Sequence, residues 1–350
     1  MRRLATLVAG VVVLAALAAT PAAASAGQSG QNCAFPVTMT DATGTEVTVE
    51  ERPDRVVTTN PSAAQTMWEI GGRDQVVGLT QYASYLEGAE SRTNVSASFG
   101  VSRETVVGTN PDLVIAPNSS SGDVQGLRDA GLTVYHLPAP TDVDDIRQAT
   151  TTIGRLTGNC QGAADTNAWM NANIEAVGNV TAGVDDRPEV LYPLGSGYVA
   201  AGNTFIDAVL ATAGADNAAG EYTGYPQLND EVIAQTDPDA LVLHNQTGYL
   251  LDEEPYASTT AGRQNAVVRV RERDMSQPGP RSVVNAIHDV TRQLYPDRYN
   301  DSVYVPQSAV EGATPATVSE GTSGGSGPGF TALGGVVALL AATLVARRRC

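Results

Sequence analysis

The side chains most able to do chemistry in this 350-residue chain are few. There are three histidines, His136, His244 and His288. His136 and His244 each follow an apolar run and His288 lies in a helical stretch, whereas a zinc or manganese site needs several His and carboxylate groups converging on one point. No Gly-x-Ser-x-Gly elbow stands between an apolar strand and a helix, the one match to that spacing falling in the Gly/Ser-rich stretch at 321–325, and no H-E-x-x-H pair or Walker loop occurs. Gly195-Ser-Gly-Tyr-Val-Ala200 follows a strand and imitates a dinucleotide fingerprint. The next helix, however, starts near Asn203, too late to set its N-terminus on a pyrophosphate. The expectation is a protein that binds and does not catalyse, with no metal and no resident cofactor.

Binding residues need elements to hold them, and a doubled segment shows where those elements lie. Glu104-Thr-Val-Val-Gly-Thr-Asn-Pro111-Asp-Leu-Val-Ile-Ala-Pro-Asn118 is echoed by Glu231-Val-Ile-Ala-Gln-Thr-Asp-Pro238-Asp-Ala-Leu-Val-Leu-His-Asn245. Each copy reads as a short helix stopped by proline, then an apolar run of the kind buried on both faces of a parallel sheet. Further strands are expected at 55–59, 76–79 and 132–135, with helices at 62–70 and 124–130, in a first lobe. Strands at 189–192 and 266–270 and helices at 204–212 and 281–294 fill a second. Between them, 161–180 has few breakers and suits one helix of roughly 30 Å. The fold class is therefore α/β, two Rossmann-like lobes joined by a single long helix. Ligands of open parallel sheets bind beyond the carboxyl ends of the strands. That rule nominates Asn60-Pro61-Ser62, Gln81-Tyr82 and Asn118 in the first lobe, and Leu194 to Tyr198 and His244-Asn245 in the second. Phe99 and Tyr225 occupy matching loops of the two lobes.

Several motifs together carry a family resemblance: Val-Thr-x-x-Asp-x-x-Gly-x-x-Val-x-Val at 37–49, Arg52-Pro53-Asp54-Arg55-Val56-Val57, the Asn60-Pro61-Ser62 turn, both Pro-Asp strands and the long helix. The chain resembles the helical-backbone substrate-binding proteins that feed cobalamin and ferric-siderophore importers, most of all the cobalamin-binding branch, over nearly the whole body. The resemblance implies that Tyr82, Phe99, Tyr198 and Tyr225 line a cleft between the lobes, where flat faces give broad apolar contact. Family positions held by tryptophan carry Phe or Tyr here. It also implies that Glu104 and Glu231 form salt bridges with arginines of a membrane permease, itself driven by a separate ATPase. Cobalamin is then the transported ligand and not a cofactor. The alternative ligand is a ferric siderophore, for which Arg263 or Arg281 would face the cleft to grip anionic groups. A surface adhesion or glycan-binding module is the remaining alternative.

The two ends place the body. Arg2, Arg3, an apolar run and Ala24-Ser25-Ala26 read as an export signal over 1–26. At the far end a Gly/Ser-rich stretch precedes Pro328-Gly329-Phe330, a bilayer-length apolar run and Arg347-Arg348-Arg349. That order resembles the sorting signal of archaeal surface proteins that begins with Pro-Gly-Phe and ends in a membrane anchor. The expected organisation is a signal at 1–26, a first lobe at 33–158, the connecting helix at 159–186, a second lobe at 187–305, a stalk at 306–327 and the sorting signal at 328–350. All twenty-one basic residues are Arg. Leaving out the five terminal ones, the body sets sixteen Arg against thirty-eight acidic residues, a net charge of −22. Such a charge rejects nucleic acid and, spread thinly, suits a monomer solvated in high salt. Outside the cell Cys33 and Cys160 read as a disulfide, while Cys350 has no assigned role. Sequons stand at Asn94, Asn118, Asn179, Asn245 and Asn300.

Overall fold

In the computed structural model, residues 33–310 are described. The export signal, the sorting signal and Cys350 lie outside those residues, as does the stalk beyond 310. No helix among the described residues is long and apolar enough to cross a membrane.

The body opens on an antiparallel hairpin, β1 (Val37–Thr40) and β2 (Glu46–Val49). Asp41 explains its Asp-x-x-Gly signature. The buried carboxylate accepts backbone N–H bonds from Thr43 (2.8 Å), Thr45 (3.2 Å) and His136 (3.0 Å), and pairs with Arg128. Gly44 supplies the left-handed turn residue, φ 79°.

The first lobe then alternates strand and helix: β3 (Val56–Thr58), α1 (Pro61–Glu69), β4 (Val76–Leu79), β5 (Thr93–Asn94), α2 (Arg103–Gly108), β6 (Leu113–Ala116), α3 (Ser121–Asp129) and β7 (Val134–His136). Its five strands are all parallel, in the order β5-β4-β3-β6-β7. After α4 (Val143–Thr157) and α5 (Cys160–Thr181) come β8 (Glu189–Leu191), a small hairpin of β9 (Pro193–Gly195) and β10 (Tyr198–Val199), α6 (Phe205–Thr212), β11 (Asp216–Asn217), α7 (Asp230–Thr236), β12 (Ala240–Leu243), α8 (Thr260–Gln264), β13 (Val267–Arg269), α9 (Glu272–Ser276) and α10 (Pro280–Leu294). The second sheet is also parallel, in the order β11-β8-β12-β13. Because every strand of a parallel sheet points the same way, all its ligand-side loops leave from one edge.

The doubled segment has a structural reason. Asp112 accepts the backbone N–H groups of Asp54 (2.9 Å) and Arg55 (2.8 Å) before β3, and Asp239 accepts that of Glu189 (2.9 Å) at the start of β8. Each Pro-Asp thus ties the start of its own strand to the central strand beside it. The residue before each proline is left-handed, Asn110 at φ 47° and Asp237 at φ 35°, a conformation short polar side chains tolerate best.

The connecting helix α5 spans 22 residues, about 33 Å. Ala163 near its start packs into the first-lobe core, while Trp169, Met170 and Val177 pack into the second. Cys33 and Cys160 form a disulfide that staples the chain ahead of β1 to the first residue of α5. Gly162 sits against the end of α1, where an added Cβ would stand 2.0 Å from the Ile70 carbonyl oxygen. Gly162→Ala is therefore expected to destabilise by about 1–3 kcal/mol through overpacking. Gly178→Ala, with nothing within 4 Å, is expected to be neutral or stabilising by up to about 1 kcal/mol. Chemical denaturation of the two variants side by side checks the pair.

Several elements depart from the sequence reading: the β1–β2 hairpin, β5, β11, α8 and α9 were not expected, and two further departures border the cavity between the lobes. Helix α4 was not expected, although Asp142 caps its N-terminus by accepting from Asp145 N (2.8 Å) and Gly158 ends it at φ 72°. The glycine-rich 195–200 stretch is the β9–β10 turn, with Ser196 at φ 51° and Gly197 at φ 78°, the geometry of a two-residue hairpin. A Cβ on Gly197 would meet the Leu228 carbonyl oxygen at 2.7 Å.

Candidate ligand-binding cleft

Between the two carboxyl edges lies a cavity of about 420 Å³. The first lobe contributes the loop after β3, the loop after β6 and the Leu137–Pro140 strap after β7. Asn60 caps α1, its Oδ1 accepting from Ser62 N (2.8 Å) and Ser62 Oγ (2.8 Å), while its Nδ2 donates to Ser119 Oγ. This links the two loops into a polar shelf that ends at Asn118. Ile146 and Ile153 of α4 and Phe205 and Ile206 of α6 also line the cavity. Leu194, Tyr225 and the Met275–Pro278 turn close the second-lobe side. Among the described residues no Asp, Glu, Arg or His lines the cavity, and Tyr225 is the one ionisable side chain that does.

Of the ligand-contact residues expected from sequence, Asn60, Ser62, Asn118 and Tyr225 come together in this cavity. Pro61 is buried at the first position of α1 and does not line it. Tyr82 and Phe99 stand outside it in loops at the carboxyl ends of β4 and β5, and Tyr198 stands outside it as the first residue of β10. They are 64%, 96% and 44% exposed, an unusual amount of solvated ring at a sheet edge that carries a cavity. Tyr249, which sequence reasoning missed, joins them at 54% exposure, its hydroxyl lying against Gly195. Its only signal was an aromatic four residues beyond Asn245.

His244 and Asn245 follow β12 but do not line the cavity. His244 is buried with its ring 6.2 Å from that of Tyr192, and its Nδ1 accepts from Gln246 N (3.3 Å). Burial pushes its imidazole pKa down, opposed by Glu272. His136 donates from Nδ1 to the Ala116 carbonyl (2.9 Å). Among the described residues no group of three or more His, Cys, Asp or Glu is placed to share a metal. Arg263 pairs with Asp237 (3.9 Å) and Arg281 with Glu69, so both arginines considered as anion grips are engaged away from the cavity.

His288 has a structural task. Asn173 Oδ1 accepts from Val305 N (3.0 Å), so Nε2 of His288 is the donor in its 2.8 Å bond to that oxygen. Nδ1 is then the acceptor for the Tyr299 hydroxyl at 2.8 Å. The bonds tie α10 and α5 to the 299–305 segment. Burial, helped by Arg292, pushes this imidazole down to about 4 from its ordinary 6.5. Protons then bind the unfolded chain more readily than the folded one, so stability is flat above pH 6.5 and falls as pH drops toward 4. Between pH 7.5 and 5 we expect a loss of about 1 kcal/mol, discounted for residual solvent access, that His288→Gln largely removes. Urea melts at both pH values measure it.

Glu104 and Glu231 occupy equivalent places. Each is the second residue of its helix, α2 capped by Ser102 (accepting from Thr105 N, 3.2 Å) and α7 capped by Asn229 (accepting from Val232 N, 2.9 Å). Both are exposed, one on each lobe.

Comparison with known proteins agrees with this architecture. Residues 56–273 match the family described as periplasmic binding protein. A cobalamin-binding protein of Halobacterium salinarum is 40% identical, with 99% of both chains aligned. An uncharacterized ABC transporter substrate-binding lipoprotein of Bacillus subtilis, YvrC, is 26% identical over 76% of this chain and 88% of its own. Among solved structures, the apo periplasmic heme-binding protein RhuT of Roseiflexus sp. RS-1 superposes with a TM-score of 0.64 at 26% identity, covering 70% of this chain and 99% of that one.

Proposed function

The chain belongs to the periplasmic binding protein family, and we propose that it captures a corrinoid between its lobes outside the cell and hands it to the permease of an ABC importer, driven by a separate ATPase. It performs no catalysis of its own, and it stays at the cell surface through its C-terminal anchor.

The observation that carries this reading is the uncharged cavity. A corrinoid presents a broad ring fringed with neutral amides, which a shelf of Asn60, Asn118 and Ser62 can meet by hydrogen bonds. The flat faces suit Tyr225 and the exposed rings of Tyr82, Phe99, Tyr198 and Tyr249. Heme and most ferric siderophores carry carboxylates or a net negative charge, and burying such a charge without a cationic partner is costly. The two arginines considered as grips for such a charge, Arg263 and Arg281, are already paired. Isothermal titration in molar salt with cyanocobalamin, hemin and a ferric siderophore tests it. Micromolar or tighter binding of cyanocobalamin alone is expected, and binding of an anionic ligand with none of cyanocobalamin overturns the assignment.

Docking on the permease falls to Glu104 and Glu231, which the duplication sets one on each lobe. Glu104→Arg with Glu231→Arg is expected to cut cellular uptake more than tenfold while changing ligand affinity by less than about twofold, since neither residue lines the cavity. Uptake at the normal rate in that variant would remove both residues from the interface.

A further inference from the structure

The connecting helix is not the only tie between the lobes. On the far side of α1 from its first-lobe sheet, a set of polar side chains crosses from α1 and the loop after β4 to α9 and α10. Gln65, fully buried in α1, donates through Nε2 to Ser282 Oγ (3.0 Å) and to the Tyr85 hydroxyl (3.0 Å), and its Oε1 accepts from Ser282 N (3.2 Å). The Tyr85 hydroxyl donates onward to Gln277 Oε1 (2.9 Å). The Arg273 guanidinium lies over the Tyr85 ring, 4.9 Å from its centroid. One helical turn beyond Gln65, Glu69 pairs with Arg281. Gly279 lies directly against the Gln65 amide, where an added Cβ would stand 2.6 Å from Gln65 Oε1.

Every hydrogen-bonding group of the Gln65 amide that is used points at a partner on one side or the other of the lobe boundary. A buried amide satisfied in this way is strongly directional, because any shift of α10 against α1 strands a donor or acceptor away from water. Gln277 sits inside the Met275–Pro278 turn, whose Met275, Ser276 and Pro278 line the cavity while Gln277 itself turns away toward Tyr85. Gln65 lies on the same helix as Ser62, Ala63 and Thr66, which line the cavity from the first lobe.

We infer that Gln65 and Tyr85 are positioning residues that hold the second-lobe wall of the cleft, Met275–Pro278, at a set distance from the first lobe. The cleft width is thereby built into the ligand-free protein, and ligand enters a site already formed. Affinity depends on two side chains that touch no ligand.

Tyr85→Phe tests this with least disturbance, since it keeps the ring under Arg273 and removes only the hydroxyl; Gln65→Leu removes the amide at similar volume. In the ligand-free full-length protein, hydrogen exchange at 273–282 is expected to rise at least tenfold in Tyr85→Phe, and further in Gln65→Leu, with exchange in β6 and β12 unchanged. Small-angle scattering is expected to show no change in radius of gyration on adding cyanocobalamin to the wild-type protein, and a contraction in the variants. Affinity in the variants is expected to fall about tenfold, through faster dissociation. Wild-type exchange at 273–282 together with wild-type affinity in both variants overturns the inference. The exchange arm uses no ligand, so it decides this point even where the corrinoid reading fails.

Discussion

Replacing Phe99 and Tyr225 together by alanine is expected to weaken corrinoid binding by about 100-fold while leaving the unfolding midpoint within about 2 °C of wild type. The two rings belong to different lobes and are 96% and 52% exposed in the free protein, so neither contributes much to the folded core. Exposed rings give up their contact with water only when something flat covers them. Each is then worth about 1–2 kcal/mol of binding, a factor of roughly 5 to 30. Rings on separate lobes that act on different parts of the ligand contribute nearly independently, which gives the combined figure. Titration of the single and double variants with cyanocobalamin measures it. An affinity loss under threefold in the double variant would mean that these rings are solvated surface and not walls.

Removing the disulfide is expected to cost stability on a larger scale than any other change considered. The bond joins residues 127 apart in sequence, and closing a loop of that length in the unfolded chain corresponds to about 5 kcal/mol on the chain-entropy account. The Cys33→Ser, Cys160→Ser double variant, unfolded by urea in molar salt with the slope fitted freely because the uncrosslinked denatured chain exposes more surface, reads the difference. Ligand affinity well below the melting range should stay as it was, since neither cysteine lines the cavity. A loss under 1 kcal/mol would show that the denatured chain is already restrained near its start by other means.

Much of the framework was legible because certain residues have narrow conformational consequences. Proline after a short helix, then aspartate and an apolar run, twice over, can hardly be anything but helix stop and buried parallel strand; the structure adds that the aspartates, Asp112 and Asp239, hydrogen-bond the neighbouring strand entrances. The crossing helix was readable for its lack of breakers and extends one residue further at each end than expected. Helix α4 was missed because four threonines, Thr150, Thr151, Thr152 and Thr157, dilute its apolar stripe, although Ile146, Ile153 and Leu156 keep helical spacing.

The site divides differently. Asn60, Ser62 and Asn118 were recoverable from the strand-end rule, since their places depend only on their own strand. The Met275–Pro278 wall and the α4 and α6 floor were not, because they arise where elements far apart in sequence pack together. His244 shows the converse error: it follows a strand as the rule requires, yet the ring packs beside Tyr192 and leaves the cavity to others.

The most direct measurement is a crystal structure of the protein soaked or grown with cyanocobalamin. One corrinoid is expected between the lobes, its amide fringe on the Asn60 to Asn118 shelf and its ring faces against Tyr225 and the neighbouring exposed tyrosines, with the Met275–Pro278 wall where it stands in the free protein. A corrinoid bound anywhere else, or an empty cleft at saturating ligand, would contradict it.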